Sequence, residues 1–165
     1  MSVLPIVLWP DPRLAETCAP ITDITPEIEQ LAADMLETMY AAPGRGLAGP
    51  QVGAMQRIFV MDAGWKEGES DPIVCLNPML QEVSEERVTN AEGCLSIPGV
   101  KPDISRPAQV QMVWTGLNGG RFVQSFEGFA AACVQHELDH LDGIVTFDHL
   151  GADERATLIG EYTAQ

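Results

Sequence analysis

The stretch Gln135–His140, which reads QHELDH, is the part of the sequence that the rest of the fold has to serve. It places two histidines four residues apart, with Glu137 between them, where the apolar residues recur at helical spacing. Residues four apart on an α-helix lie one turn apart on the same side. His136 and His140 can therefore bind one metal ion, and Glu137 is placed to act as a base beside that ion.

A catalytic metal site of this kind usually has a third protein ligand and leaves a fourth position for water. In metalloproteases with the longer HExxHxxGxxH motif, that ligand is a histidine at the position occupied here by Thr146. A downstream glutamate, Glu154 or Glu161, is an alternative. However, too few residues follow His140 for the usual downstream protease subdomain.

The other source of a third ligand is one of the four cysteines, which are scattered and form no CxxC pair. Cys94 is the best placed, because it lies in the irregular segment EGCLS among small residues. Cys133 lies three residues before His136 on the same helix, which is too close to complete a tetrahedron. Cys18 and Cys75 lie in contexts typical of a loop and a strand. We therefore predict Cys94 as a thiolate ligand, with a buried structural thiol as the alternative.

Length and charge limit the class of protein. A chain of 165 residues suits one domain, 1–165. A formal net charge of −15, with nine Lys and Arg residues that form no cluster, argues against a nucleic-acid partner. The apolar start MSVLPIVLWP lacks a basic region and is interrupted by prolines, so it predicts neither a signal peptide nor a membrane span. We expect a cytoplasmic protein with reduced thiols and no membrane partner.

Periodicity predicts the helices and strands. A helix is expected to begin at Thr25 and Pro26 and to end at Pro43. The helix that carries HExxH should run from about residue 127 or 128 to Leu141 and end at Gly143, and a short tail helix is expected over 153–160. Strands are expected at 3–9, 57–62, 73–80, 81–88, 109–115 and 121–126.

Two further features complete the predicted fold. The glycine-rich stretch 44–53 is expected to form no regular element, and either lines a ligand or serves as a plain loop. Strands and helices do not alternate regularly along the chain. The sequence therefore predicts a single α+β domain with mainly antiparallel sheets packed around a central helix that carries HExxH.

Three motifs together resemble those of the peptide deformylase family. They are GRGLAGPQ at 44–51, EGCLS at 92–96 and QHELDH at 135–140, and their order and separations also match. The resemblance covers about residues 4–150. It implies a metal-dependent hydrolase that removes the formyl group from N-formylmethionyl peptides of newly made proteins and releases formate.

The resemblance also implies roles for individual residues. Cys94, His136 and His140 would hold one divalent metal, with Fe(II) expected and Zn or Ni as possible substitutes. Glu137 would take a proton from water and later deliver it to the departing amine.

The same resemblance names residues that would contact the reacting group or the peptide. The Gln51 side-chain amide and the Leu95 backbone N–H would stabilise the developing oxyanion. Gly46 and Arg106 are expected to contribute to substrate binding. Two alternatives are open for Arg106: it could order the groups that contact the metal ligands, or it could form a surface salt bridge.

Departures from the family pattern lie at the edge of the cleft and in the tail. Arg45 stands where the family usually has an aliphatic residue, which motivates the hypothesis that acidic residues after methionine are favoured. The short tail carries Asp153, Glu154 and Glu161 against one Arg155, which argues against the transient ribosome contact of relatives with a basic tail helix. Two other functions are left open: a deformylase-like metal-binding protein with an altered substrate or regulatory role and, less favoured, a metallopeptidase.

Overall fold

The computed structural model describes residues 2–165, and within them it contains three α-helices and seven strands. The helices are α1 (Pro26–Ala41), α2 (Gly128–Leu141) and α3 (Ala152–Thr163). The strands are β1 (Gly46–Ala48), β2 (Ile58–Met61), β3 (Ile73–Val83), β4 (Arg87–Ala91), β5 (Asp103–Pro107), β6 (Gln109–Thr115) and β7 (Arg121–Glu127). All strand pairs are antiparallel, which confirms the predicted α+β class.

The strands form one sheet of five and one sheet of two. The larger sheet has the order β1-β2-β3-β6-β7, and β4 pairs with β5 in the smaller one. A short turn joins β6 and β7 as a hairpin. None of the helices among residues 2–165 has the length and apolar character needed to span a bilayer.

The five-stranded sheet packs a helix on each of its faces. All four residues of β2 are buried, because successive side chains of a strand point to opposite faces and both faces are covered here. Ile58 and Val60 pack in a cluster with α1, whereas Phe59 and Met61 pack in a cluster with α2. The helix with the two histidines is therefore fixed to the sheet by an apolar core.

Helix α1 forms as predicted. Thr25 Oγ1 accepts a hydrogen bond from the Ile28 backbone N–H at 3.3 Å, and Pro26 occupies the first helical position. Met35 and Met39, one turn apart, are fully buried against the sheet.

Helix α2 contacts both sheets. Val134 and Leu138 lie in the core beneath the large sheet. The Gln135 side-chain amide donates to the carbonyl of Pro107 in β5 at 3.0 Å. The helix ends as predicted, because Gly143 adopts a φ of +74°, a left-handed conformation that glycine tolerates best. Its position relative to both sheets is thus set by apolar packing on one side and a partly buried hydrogen bond on the other.

A third core lies where the N-terminal segment meets α3. The Tyr162 hydroxyl donates to the Trp9 carbonyl at 2.8 Å, and the Trp9 N–H donates to the Ser96 carbonyl at 2.9 Å. The ring of Trp9 also packs edge-on against Phe147 at 5.0 Å. Segments near both ends of the chain therefore hold the loop that carries Cys94.

The expected strand at 3–9 is wrong. This segment makes single hydrogen bonds instead, such as that from the Val7 N–H to the Gln51 carbonyl at 2.7 Å. Pro5 and Pro10 have no N–H to donate, so a continuous ladder cannot form.

The stretch 44–53 was also predicted incorrectly in part. Residues Gly46–Ala48 form β1, which pairs with β2, and a short 3₁₀ helix follows at Gly49–Val52. The expected strand at 81–88 is divided between the end of β3 and the start of β4. Strand β5 was missed because its prolines, Pro102 before it and Pro107 at its end, read as loop signals.

Candidate functional site

A cleft of about 1200 Å³ opens between the two sheets, alongside α2. One wall is β1 with the loop before it, and the opposite wall is β4 with the segment that follows. Cys133, His136 and Glu137 of α2 line the floor, together with Cys94 and Gln51. The cleft thus brings together all three motifs of the sequence.

Three potential metal ligands converge on this floor. One donor atom from each of Cys94, His136 and His140 lies within 4.8 Å of the other two. The Cys94 Sγ atom lies 3.5 Å from His140 Nε2. A tetrahedral ion with a metal–sulfur distance of about 2.3 Å and a metal–nitrogen distance of about 2.0–2.1 Å would separate these atoms by about 3.5 Å. A thiolate and two imidazoles suit a divalent transition metal, so the site fits such an ion.

The surroundings shift the pKa values of the two histidines in opposite directions. Burial lowers the pKa of His140 well below its usual range, so this ring is neutral. Although burial opposes it, the negative charge of Glu137 and hydrogen bonds to neighbouring groups raise the pKa of His136 well above its usual range, so a metal bound here would displace a proton from this ring. The Nδ1 atom of His136 lies 3.1 Å from Glu92 Oε1. Although burial opposes ionisation, hydrogen bonds from His136 and Arg106 lower the pKa of Glu92 to about 2. The ionised Glu92 carboxylate therefore holds the Nδ1 proton and leaves His136 Nε2 as the donor atom.

Arg106 lies behind the ligands and does not line the cleft. Its guanidinium donates to both carboxylate oxygens of Glu92, at 2.6 and 2.9 Å, and to Asp139 at 2.9 Å. The residue is 5% exposed. The guanidinium is buried and faces acidic partners, so its ion pairs do not lie at the surface. This placement favours the alternative in which Arg106 orders the surroundings of the metal ligands, and its expected role in substrate binding stays a prediction.

Sequence reasoning missed the contribution of Glu92. This residue joins Arg106 to the Nδ1 atom of His136 and so fixes the orientation of a ligand ring. An acidic residue two positions before the predicted thiolate was a signal for such a partner, but it could not show which histidine the carboxylate would reach.

Glu137 lies on the same face of α2 as the two histidines. It is 4% exposed, and its Oε1 atom accepts no hydrogen bond from any residue in the described range 2–165. Burial raises the pKa of Glu137 to about 7. A carboxyl group with a pKa near neutrality can both accept and return a proton, as an acid–base catalyst must.

Gln51 and Leu95 present hydrogen-bond donors next to Cys94. The Gln51 side-chain oxygen accepts from the Ala48 N–H at 3.0 Å, which fixes the orientation of the amide. Its Nε2 atom donates to Ser96 Oγ at 3.1 Å and lies 3.7 Å from Cys94 Sγ. The Leu95 N–H makes no hydrogen bond with another residue of 2–165. The Leu95 N–H can therefore donate to an oxygen bound beside the thiol, and the Gln51 amide can do so by exchanging its long contact with Cys94 Sγ.

Gly46 is placed where a side chain would reach the base. A Cβ atom at this position would lie 2.6 Å from Glu137 Oε2 and 2.8 Å from Cys133 Sγ. Both neighbours are buried in the floor of the cleft. The glycine thus lets β1 approach α2 closely.

We expect Gly46→Ala to lower kcat/KM by about tenfold to a hundredfold, because the added methyl group must displace Glu137 or separate β1 from α2. The metal content should not change, since the methyl group does not reach the ligands. Steady-state kinetics and elemental analysis check both expectations. Gly160→Ala is the matched control, because a Cβ there meets nothing within 4 Å. Kinetics for Gly46→Ala equal to those of this control would contradict the expectation.

Comparisons with known proteins agree with this geometry. The sequence model of the family described as polypeptide deformylase matches residues 3–156. The peptide deformylase of Rhodopseudomonas palustris (strain BisB5) is 43% identical over 164 residues, which cover 98% of this chain and 94% of that protein. A crystal structure of peptide deformylase from Ehrlichia chaffeensis superposes with a TM-score of 0.93 at 36% identity and covers 99% of this chain and 96% of that one. A second structure of that protein, in complex with actinonin, has a TM-score of 0.93 at 38% identity and covers 99% and 98% of the two chains.

Proposed function

Because this chain belongs to the polypeptide deformylase family, we propose that it deformylates N-formylmethionyl peptides through the residues that line the cleft floor. The chain is a hydrolase that removes the formyl group from formylated peptides, and it binds a divalent metal. The assignment of individual residues to metal binding and catalysis rests on one observation, the convergence of Cys94, His136 and His140 beside Glu137.

The three converging residues would hold the metal, for which we propose Fe(II). Zn and Ni suit the same thiolate and imidazole donors. A bound ion of this kind polarises the formyl carbonyl and lowers the pKa of water towards neutrality.

The protein groups then handle the proton and the developing charge. Glu137 accepts the proton that water loses as its oxygen attacks the formyl carbon, and returns this proton to the departing amine nitrogen when the C–N bond breaks. Gln51 Nε2 and the Leu95 N–H donate hydrogen bonds to the carbonyl oxygen as it becomes negative. The products are formate and a peptide with a free N-terminal methionine.

The peptide would bind in an extended conformation. Among residues 2–165, β1 lies at one end of the large sheet and β4 pairs only with β5, so each strand has an edge at which a further strand can pair. The peptide backbone would lie along these edges near Gly46, and the methionine side chain would enter the part of the cleft lined by Phe129, Ala132 and Cys133. The Ehrlichia chaffeensis relative was crystallised with actinonin, which supports ligand binding by this family.

The remaining expectations concern the whole chain. We propose that residues 1–165 act as one catalytic domain in the cytoplasm, where formylated chains are made. α3 begins with Asp153 and Glu154 in its first turn. This charge argues against docking of α3 to ribosomal phosphates, so a ribosome contact is not proposed.

The test of the proposed function is removal and return of the metal. Protein purified without oxygen is expected to contain mainly iron by elemental analysis and to release formate from formyl-Met-Ala-Ser. A chelator should reduce this release to background, and Fe(II) should restore it. Full activity of the metal-free protein would contradict the assignment. Cleavage of casein would favour a metallopeptidase, and metal binding with neither activity would favour a regulatory protein.

A further inference from the structure

The rim of the cleft contains a charged side chain next to the proposed methionine pocket. Arg45 directly precedes β1, and its guanidinium carbon lies 5.2 Å from the centre of the Phe129 ring. Both residues line the cleft. At this distance the cation and the ring attract each other, so the guanidinium is held over the aromatic face.

One acidic residue in the described range 2–165, Glu67, forms an ion pair with Arg45. Glu67 accepts two hydrogen bonds from the guanidinium, at 2.7 and 2.8 Å, in a fork arrangement. The hydrogen bond from Arg45 lowers the pKa of Glu67, so the carboxylate is ionised at neutral pH. The Ala63 carbonyl accepts a further hydrogen bond from Arg45 at 2.6 Å. The guanidinium therefore already has acceptors within the protein.

The segment that carries Glu67 is itself attached to the cleft wall. The Trp65 indole N–H donates to the Gly44 carbonyl at 2.9 Å, one residue before Arg45. The 3₁₀ helix Trp65–Glu67 thus lies beside the start of β1 and presents the carboxylate to the guanidinium. This attachment keeps the Glu67 carboxylate, whose side chain is 58% exposed, next to the residue of the pair that lines the cleft.

The hypothesis that Arg45 alone favours acidic peptides does not fit this arrangement. A guanidinium paired with a carboxylate contributes little net charge to a nearby peptide. We propose instead that Glu67 masks Arg45, and that the balance between these two side chains determines how the cleft discriminates the charge of the residue after formyl-methionine. The proposal rests on the function given above, because it concerns the same peptide in the same cleft.

The balance predicts opposite shifts for two variants. Glu67→Gln leaves the charge of Arg45 without its partner, so kcat/KM for acidic peptides should rise. Arg45→Met leaves the charge of Glu67 without its partner, so kcat/KM for basic peptides should rise. The measured quantity is the ratio of kcat/KM for formyl-Met-Asp-Ala to that for formyl-Met-Lys-Ala. We expect this ratio to rise about fivefold in Glu67→Gln and to fall about fivefold in Arg45→Met. In the double variant it should return to within about twofold of wild type.

A matched control separates the ion pair from a general effect of charge. Glu69 is exposed in the same segment and forms no side-chain hydrogen bond or ion pair with other residues of 2–165. Glu69→Gln removes the same charge as Glu67→Gln and should leave the ratio at its wild-type value. Lys66 also lines the cleft, but it is present in every variant and so does not affect the comparison.

Three outcomes would overturn the proposal: an unchanged ratio in both single variants, an equal rise in Glu69→Gln, or a rise in Glu67→Gln that persists in the double variant. Formyl-Met-Ala-Ser serves as the neutral substrate throughout, together with thermal melting, to establish that each variant folds and is active. If iron-loaded wild type released no formate from this neutral peptide, the proposed function itself would fail. An active enzyme with an unchanged charge ratio would contradict only the role of Glu67.

Discussion

Glu137→Gln is expected to lower kcat for formyl-Met-Ala-Ser by about a thousandfold while the protein keeps its metal. The amide has nearly the same size as the carboxylate but cannot accept the proton that water loses. The three ligand side chains are unchanged, so elemental analysis should find the same metal content as in wild type. The measurements are formate release in reactions quenched at fixed times and metal analysis on the same sample.

The stability of this variant gives an independent check. Glu137 is buried and its pKa is raised to about 7, so ionisation of the carboxyl group opposes folding as the pH rises from the unfolded value of 4.5 towards 7. A glutamine does not ionise, and the variant should therefore melt no lower than wild type at pH 8. Glu161→Gln, on the exposed side of α3, is the control for loss of one negative charge. Wild-type kcat in Glu137→Gln would remove the base assignment.

Cys94→Ala is expected to lower metal affinity by more than about a hundredfold and to reduce deformylation to background. Alanine supplies no donor atom, and two imidazoles on one helix cannot by themselves provide the three protein ligands of a catalytic site. The affinity is measured by competition with a chelator, and deformylation by formate release at saturating Fe(II).

The control for this variant is Cys75→Ala. Cys75 is fully buried in the core beneath the large sheet, so its loss should lower the melting temperature and leave the metal content unchanged. If Cys94→Ala retained its metal at wild-type affinity, another group would have to be the third ligand.

The sequence predicted the elements whose determinants are local. The helix with His136 and His140 follows from apolar periodicity and a terminating glycine within fifteen or so residues, and α2 was predicted almost to its ends. Cys94 was also singled out, because irregular small residues around a thiol are visible in a short window. These features do not depend on how distant segments pack.

Features that depend on distant partners could not be predicted. β5 is a strand because β4 pairs with it, although its own prolines resemble a loop. The ion pair of Arg106 could not be predicted, because its sequence neighbourhood does not contain the carboxylate of Glu92 that it faces. The pairing of Glu67 could not be predicted for the same reason, since its partner Arg45 lies 22 residues away in the chain.

The contacts around Trp9 determine when, during synthesis of the chain, the loop that carries Cys94 gains its full support. The hydrogen bond between Tyr162 and Trp9 joins residues 153 positions apart, and Trp9 in turn supports the backbone at Ser96, two residues after Cys94. Closing so long a loop costs conformational entropy, and this cost is offset only after the contacts at its ends have formed. A chain still emerging from its own ribosome therefore lacks this support until α3 has been synthesised. An enzyme that processes nascent proteins therefore completes the support of its own Cys94 loop only after α3 has been synthesised.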